Sequence, residues 1–364
     1  MRCPNLFVVT LVIPLIPLWS RAAEQRRPIS LHPDNPRYFL FRDKPTVLIT
    51  SGEHYGALLN ADFDYARYFD ALRADNLNLT RTFSGVYREV PGSFNIRANT
   101  LAPRDAAYVS PWARAAGQPD QYDLTKWNDA YFTRLKSLMA AASERGVVVE
   151  FVLFCTFYED VLWNICPLNA RNNVNGVGKV GRTEAHTLKE QALVDAQLAF
   201  VRKVVAELKD FDNFYYEVCN EPYFAGVADD WQRLVAKTVA EAEKDFPHRH
   251  LVARNIANGS EKVDRPDPNV GVYNFHYANP PAAVAQNAHL NKPIAYDETG
   301  FRGSGDAVYR VHGWQFLFAG ARSTTTWTIP SPPRQRTGRP PSRRRRPAAA
   351  GRRSAGRCAC CGRS

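Results

Sequence analysis

Beyond Trp19 the sequence has no long apolar run, so no later segment reads as a bilayer span, which needs roughly 20 apolar residues. No G-x-G-x-x-G or P-loop follows the first strand, which removes the usual evidence for a nucleotide-binding doubly wound sheet. The cysteines lack zinc spacing. Cys3 lies at the start and Cys358, Cys360 and Cys361 at the end, leaving Cys155, Cys166 and Cys219 in the body. No metal site is expected. Cys155 and Cys166 bracket one loop, and their pairing in an oxidising compartment stays open. The body also lacks a charge excess. Of the 47 Lys and Arg, twelve Arg lie between Arg322 and Ser364, a stretch without Lys, Asp or Glu, so 35 basic face 36 acidic residues before it. The formal charge of +11 therefore belongs to the end of the chain, and no nucleic-acid partner is expected for the body.

The first 23 residues read as a secretory signal: Arg2, an apolar core from Leu6 to Trp19, then Ser20-Arg21-Ala22 as a small-residue cleavage pattern. The expected location is secreted or periplasmic, without stable membrane insertion after cleavage.

From residue 24 to 321, apolar strands alternate with amphipathic helices. Strand signals lie at Thr46–Thr50, Leu77–Phe83, Val147–Phe154, Asn213–Cys219, Leu251–Ala253, Val270–Phe275 and Pro293–Tyr296. Helix signals lie at Asp62–Asp75, Asp123–Arg145 (ended by Gly146), Thr183–Leu208, Asp229–Asp245 and Asp306–Ala319. Repeated βα units of this kind predict a (β/α)₈ barrel, the TIM-barrel class, as one domain.

The composition changes abruptly at Arg322. Residues 322–364 are dominated by Arg, Pro, Ala, Gly and Ser and cannot build a core. Such runs are what GC-rich DNA yields when read out of frame, which puts the eighth strand and helix in question. Thr324 to Ile329 is β-prone and is the candidate for the eighth strand position. The other reading of this tail is a basic arm for acidic polymers.

Two strands end in carboxylates. Tyr215-Tyr-Glu-Val-Cys-Asn-Glu-Pro222 delivers Asn220 and Glu221 to the end of the fourth strand. Pro293-Ile-Ala-Tyr-Asp-Glu-Thr-Gly300 delivers Glu298 to the end of the seventh. In a parallel barrel the C-terminal strand ends form the active face, and the fourth and seventh look at each other across the mouth. Two facing carboxyl groups in different surroundings acquire separated pKa values, as an acid and a nucleophile require.

The Asn-Glu-Pro end of strand four and the glutamate end of strand seven resemble clan A glycoside hydrolases, especially family 5, the cellulase-like branch, over roughly Pro45 to Gly320. The resemblance implies retaining hydrolysis of O-glycosidic, β-type bonds in an oligo- or polysaccharide, with Glu221 as acid/base, Glu298 as nucleophile and no cofactor. It also implies roles for Arg81 in Leu77-Asn-Leu-Thr-Arg81, supporting the nucleophile, and for the pair His276 and Tyr277 at the end of strand six. The sequence departs from the family pattern in three places. Strand three ends in Cys155 where the family has a histidine, His276 and Tyr277 are adjacent, and the strand-eight tryptophan falls in the tail, where Trp327 stands.

Further candidates sit on the same face. Asn220 offers hydrogen bonds to a sugar hydroxyl. His54, in Glu53-His54-Tyr55 after strand one, is a candidate sugar contact. Trp163 and Trp112 lie in the long loops and are candidates for stacking on pyranose rings, with loop packing as the competing reading. The competing function is a non-catalytic carbohydrate-binding barrel.

Overall fold

The computed structural model describes residues 26–50, 54–96, 98–300, 302 and 306–325. The signal segment, Glu53, Trp327 and the tail from 326 onward lie outside the described residues.

Eight parallel strands form the barrel expected from the βα alternation. In chain order, strands 1 to 8 are Leu48–Thr50, Leu79–Phe83, Val148–Cys155, Phe214–Asn220, Val252–Asn258, Val272–His276, Ile294–Glu298 and Ser323–Thr325. The eighth lies inside the stretch assigned to the tail. It pairs in parallel with strand 7 (Ala295 with Ser323) and with strand 1 (Ser323 with Leu48), so it occupies the closing position. The seam between strands 1 and 2 is held by Asn78. Its Oδ1 accepts from Ile49 N (2.8 Å), and its Nδ2 donates to Val47 O (2.9 Å).

The barrel interior follows from strand alternation. Leu48, Leu79, Val148, Tyr215, Ala253, Val272 and Ala295 form one apolar layer, closed from below by Ile29, Phe39 and Phe41. Those three come from the chain's N-terminal region, where Ser30–Leu31, Phe39–Phe41 and Lys44–Thr46 form a small antiparallel sheet. Two residues further along their strands stand Arg81, Glu150, Glu217, Asn274 and Asp297, all fully buried. A polar layer thus sits on an apolar floor, beneath the mouth.

Helices cover the outside: Tyr65–Ala74, Asp129–Glu144, Asp160–Asn164, Gln191–Leu208, Asp229–Ala242, Ala282–Gln286 and Asp306–Ala319. The second was expected to begin at Asp123. Instead Gln118–Trp127 is a strand paired with Trp112–Ala115, and the helix starts after Asn128, whose Oδ1 accepts from Ala130 N (3.2 Å). Tyr122 and Leu124 are buried two residues apart, the strand period. The long helix expected from Thr183 begins at Gln191. No described helix is long and apolar enough to cross a membrane.

Cys155, Cys166 and Cys219 are free and buried. Cys166 Sγ contacts Val86 O (3.3 Å), and Asn220 Nδ2 reaches Cys155 Sγ (3.5 Å). The Cys155–Cys166 pairing left open by the sequence is therefore not made.

Candidate active site

The site is built where strands 4, 6 and 7 leave the sheet. Glu221 follows strand 4 with φ 46°, and Tyr277 follows strand 6 with φ 52°. These left-handed residues break the strand alternation. That is why the adjacent His276 and Tyr277 both reach the same carboxylate. Gly300 is required by this packing: a Cβ there would stand 2.8 Å from the Tyr277 ring.

Glu298 ends strand 7 with its side chain 14% exposed. Tyr55 donates to its Oε1 (2.6 Å), as does Arg81 Nη1 (3.3 Å), and Tyr277 donates to Oε2 (2.7 Å). Burial disfavours the ionised form, but the His276 charge and hydrogen bond, the Arg81 charge and the Tyr55 hydroxyl outweigh it. Glu298 is held well below the usual carboxylate range. Glu221 has different neighbours. Tyr158 donates to its Oε2, Tyr223 donates to Oε1 (3.1 Å), and no arginine touches it among the described residues. One carboxylate oxygen of each glutamate and a ring nitrogen of His276 all lie within 4.8 Å of one another.

Arg81 organises the layer beneath. It grips Glu217 with two bonds (Nε to Oε2 2.8 Å, Nη2 to Oε1 2.7 Å), and Nη2 also donates to Asn220 Oδ1 (2.7 Å). Asn220 in turn donates to Tyr158 Oη (2.9 Å). Its amide is committed inside the protein, so the structure places it behind Glu221, not open to a sugar hydroxyl. Burial, with Asp297 and Glu217 nearby, pushes Glu150 well above the carboxylate range.

Glu150, Glu217 and Asp297 also bring carboxylate oxygens within 4.8 Å, a spacing that would suit a cation. The guanidinium of Arg81, on Glu217 and 3.6 Å from Asp297, already supplies positive charge there. His276 does the same between Glu221 and Glu298. The chemistry of both groups is that of protein ion pairs.

Of the residues singled out in the sequence, Glu221, Glu298, Arg81, Asn220, His276 and Tyr277 come together. His54 does not. It is packed against the rings of Phe63 and Tyr68 (both 4.7 Å), and burial pushes it down to about 4, so it is a neutral core histidine. Trp163 does not either. It is buried against Phe157, with Nε1 donating to Val180 O (2.8 Å). Trp112 is buried against Trp127 and Phe200, the loop-packing reading.

The sequence reading quoted Tyr55 only beside His54, and missed Tyr158, Tyr223, Glu217 and Asp297. Each tyrosine lies in a loop just past a strand, which puts it on the active face, but a loop sequence does not say which side chains turn to the mouth. Glu150 and Glu217 did carry one: a charged residue inside an otherwise apolar strand needs a buried partner. Glu89 is a further carboxyl, in the loop after strand 2. It accepts from Tyr87 Oη (3.1 Å) and from Asn99, and burial pushes it up to about 7.

No family model matches the sequence, and no curated protein does. Solved structures do match by shape. A glycoside hydrolase family 5 protein from Bacteroides vulgatus shares 14% identity over 83% of this chain and 62% of that one, with TM-score 0.53. The endo-1,4-β-mannanase from Rhizomucor miehei shares 14% over 83% and 90%, with TM-score 0.57. A family 5 mannosidase from the same organism shares 13% over 84% and 86%, with TM-score 0.56. Three of the matched structures are much longer than this chain, which spans 55%, 62% and 66% of them. Several of these structural neighbours are described as family 5 glycoside hydrolases, and at this identity the likeness establishes the (β/α)₈ fold alone.

Proposed function

We propose that the protein is a retaining glycoside hydrolase acting on β-glycosides, with Glu298 as nucleophile and Glu221 as acid/base. The observation that carries this reading is the closeness of the two carboxylates, with oxygens inside 4.8 Å. Retaining enzymes hold the pair about 5–5.5 Å apart, and inverting ones leave roughly 6.5–9.5 Å for a water. The roles follow from the surroundings. Glu298 has Arg81, His276 and two tyrosine hydroxyls to keep it ionised for attack at the anomeric carbon. Glu221 has hydroxyl partners and His276, which suits a group that gives up and regains a proton. The polar ends of strands 4, 6 and 7 form a mouth for a glycan. Several proteins of the same fold are named mannanases or a mannosidase, so β-mannosides are the first substrates to try. An exported enzyme fits the N-terminal signal pattern.

Incubation with 2-deoxy-2-fluoro β-glycosides (mannoside, glucoside, xyloside) and mass spectrometry tests the reading. The expected result is one covalent adduct on Glu298. An adduct on another residue, or turnover with inverted product, refutes it.

A further inference from the structure

His276 is fully buried, and its ring meets a carboxylate on each side. Nδ1 lies 3.2 Å from Glu221 Oε1 and 3.3 Å from Glu298 Oε2, while Nε2 lies 3.2 Å from Asp297 Oδ1. We infer that Asp297 is a positioning residue for the reaction: from behind the ring it aims His276 Nδ1 at both glutamates, so that one imidazolium serves whichever of them carries the negative charge. This rests on the proposed roles of Glu221 and Glu298.

Three carboxylates around one ring favour its charged form. A neutral ring has one N–H and one lone pair, and either tautomer would turn a lone pair toward a carboxylate at about 3 Å. Asp297 Oδ1 and His276 Nε2 are close without being aligned as a hydrogen bond, and the contact is an ion pair when the ring is protonated. Asp297 is itself fixed from the other side. Its Oδ2 accepts from Asn274 Nδ2 (2.5 Å), which also reaches Glu150 Oε1 (3.2 Å), and it lies 3.6 Å from Arg81 Nε. The charged and titratable groups facing His276 are Glu217, Glu221 and Tyr223 from strand 4 and its exit, and Tyr296, Asp297 and Glu298 from strand 7, with Arg81 of strand 2 against Asp297 and Glu298. Tyr277 follows it on its own strand, and Glu150 of strand 3 stands behind Asn274. Burial pushes the ring's pKa down, but Glu298 and Asp297 overcome this, and it stays well above the usual histidine value.

The near-equal distances from Nδ1 match the charge movement of a double displacement. Before the first step Glu298 is ionised and Glu221 holds a proton. As Glu298 forms its bond to the anomeric carbon, the glycosidic bond breaks and the Glu221 proton passes to the leaving oxygen. The pair keeps one negative charge throughout, moved from Glu298 to Glu221. Hydrolysis of the ester reverses the move, with water giving its proton to Glu221. The imidazolium stays within hydrogen-bond distance of the charge in both states and needs no rearrangement.

The test is a ¹⁵N-histidine NMR titration of the full chain and of Asp297→Asn, with the His276 signal assigned by its loss in His276→Gln. It requires no turnover, so it stands even if no glycoside is cleaved. In the wild type both ring nitrogens are expected to stay protonated from pH 5 to 8. In Asp297→Asn the ring is expected to lose its proton about one to three pH units lower. Asp297→Glu restores part of the shift. A neutral wild-type ring at pH 7 overturns the inference without any variant. So does a folded Asp297→Asn protein whose ring titrates as in the wild type.

Discussion

Replacing Arg81 by methionine isolates the largest electrostatic commitment in the barrel. Arg81 and Glu217 are both fully buried and share two bonds of 2.7 and 2.8 Å. Methionine fills much of the space but leaves Glu217 without a counter-ion. Breaking a buried pair from one side costs about 3–5 kcal/mol, against a total domain stability of roughly 5–15 kcal/mol. A fall in Tm on the order of 10 °C follows. The loss also depends on pH. Burial already raises Glu217, with Arg81 opposing it, so removing Arg81 raises it further. A carboxyl whose folded pKa lies above its unfolded value of about 4.3 binds more protons folded than unfolded between those two values. Stability then falls as pH rises through that window, by about 1.4 kcal/mol per pH unit at most. The deficit of Arg81→Met relative to the wild type should therefore be larger at pH 8 than at pH 5, measured by urea unfolding at both. A deficit below about 1 kcal/mol, or one of equal size at both values, would refute the account of Arg81 as the counter-ion of Glu217.

Three other outcomes are expected. Asn78→Ala removes both side-chain bonds across the seam between strands 1 and 2 and leaves the backbone bond from Asn78 N to Ile49 O, costing about 2–4 kcal/mol, and hydrogen exchange at the Ile49 amide should quicken at least about tenfold; unchanged exchange would show that the seam closes without the side chain. Tyr277→Phe and Tyr55→Phe each remove a hydrogen bond to ionised Glu298, which predicts a loss of about 10–100-fold in kcat/KM and an acid limb moved upward; an unmoved limb would argue against Glu298 as the ionised group. Glu89 is pushed up to about 7, so the wild type loses stability through this group as pH rises from the unfolded carboxylate value toward 7. Glu89→Gln should gain on the wild type at pH 8 relative to pH 5, and parallel urea midpoints would speak against a buried, strained carboxyl.

The two glutamates were legible because each ends an apolar run and their strands are three apart, so the barrel rule alone puts them across one mouth. Arg81 was legible for a different reason: its strand-two motif resembles the family pattern, and a charge at an interior strand position needs a partner. His54 and Trp163 misled because a loop on the active face points side chains both toward the mouth and into the packing behind it. The helix placed at Asp123 misled because a polar hairpin strand and a helix start share composition, and only pairing with Trp112–Ala115 decided between them.

The sequence by itself determined the alternation of strand and helix, hence the barrel, the order of its strands and the face on which Glu221 and Glu298 emerge. These depend on periodicities of two and 3.6 residues and on near-neighbour connections, which are local properties. Tertiary structure decided what surrounds the pair. Tyr55, Tyr158, Tyr223, Asp297 and Arg81 come from five strands or the loops just past them. Their convergence within hydrogen-bond distance depends on barrel shear and on the left-handed residues Glu221 and Tyr277. It also decided the closure, since Ser323–Thr325 becomes a strand because the open edges of strands 1 and 7 leave backbone groups that must be paired.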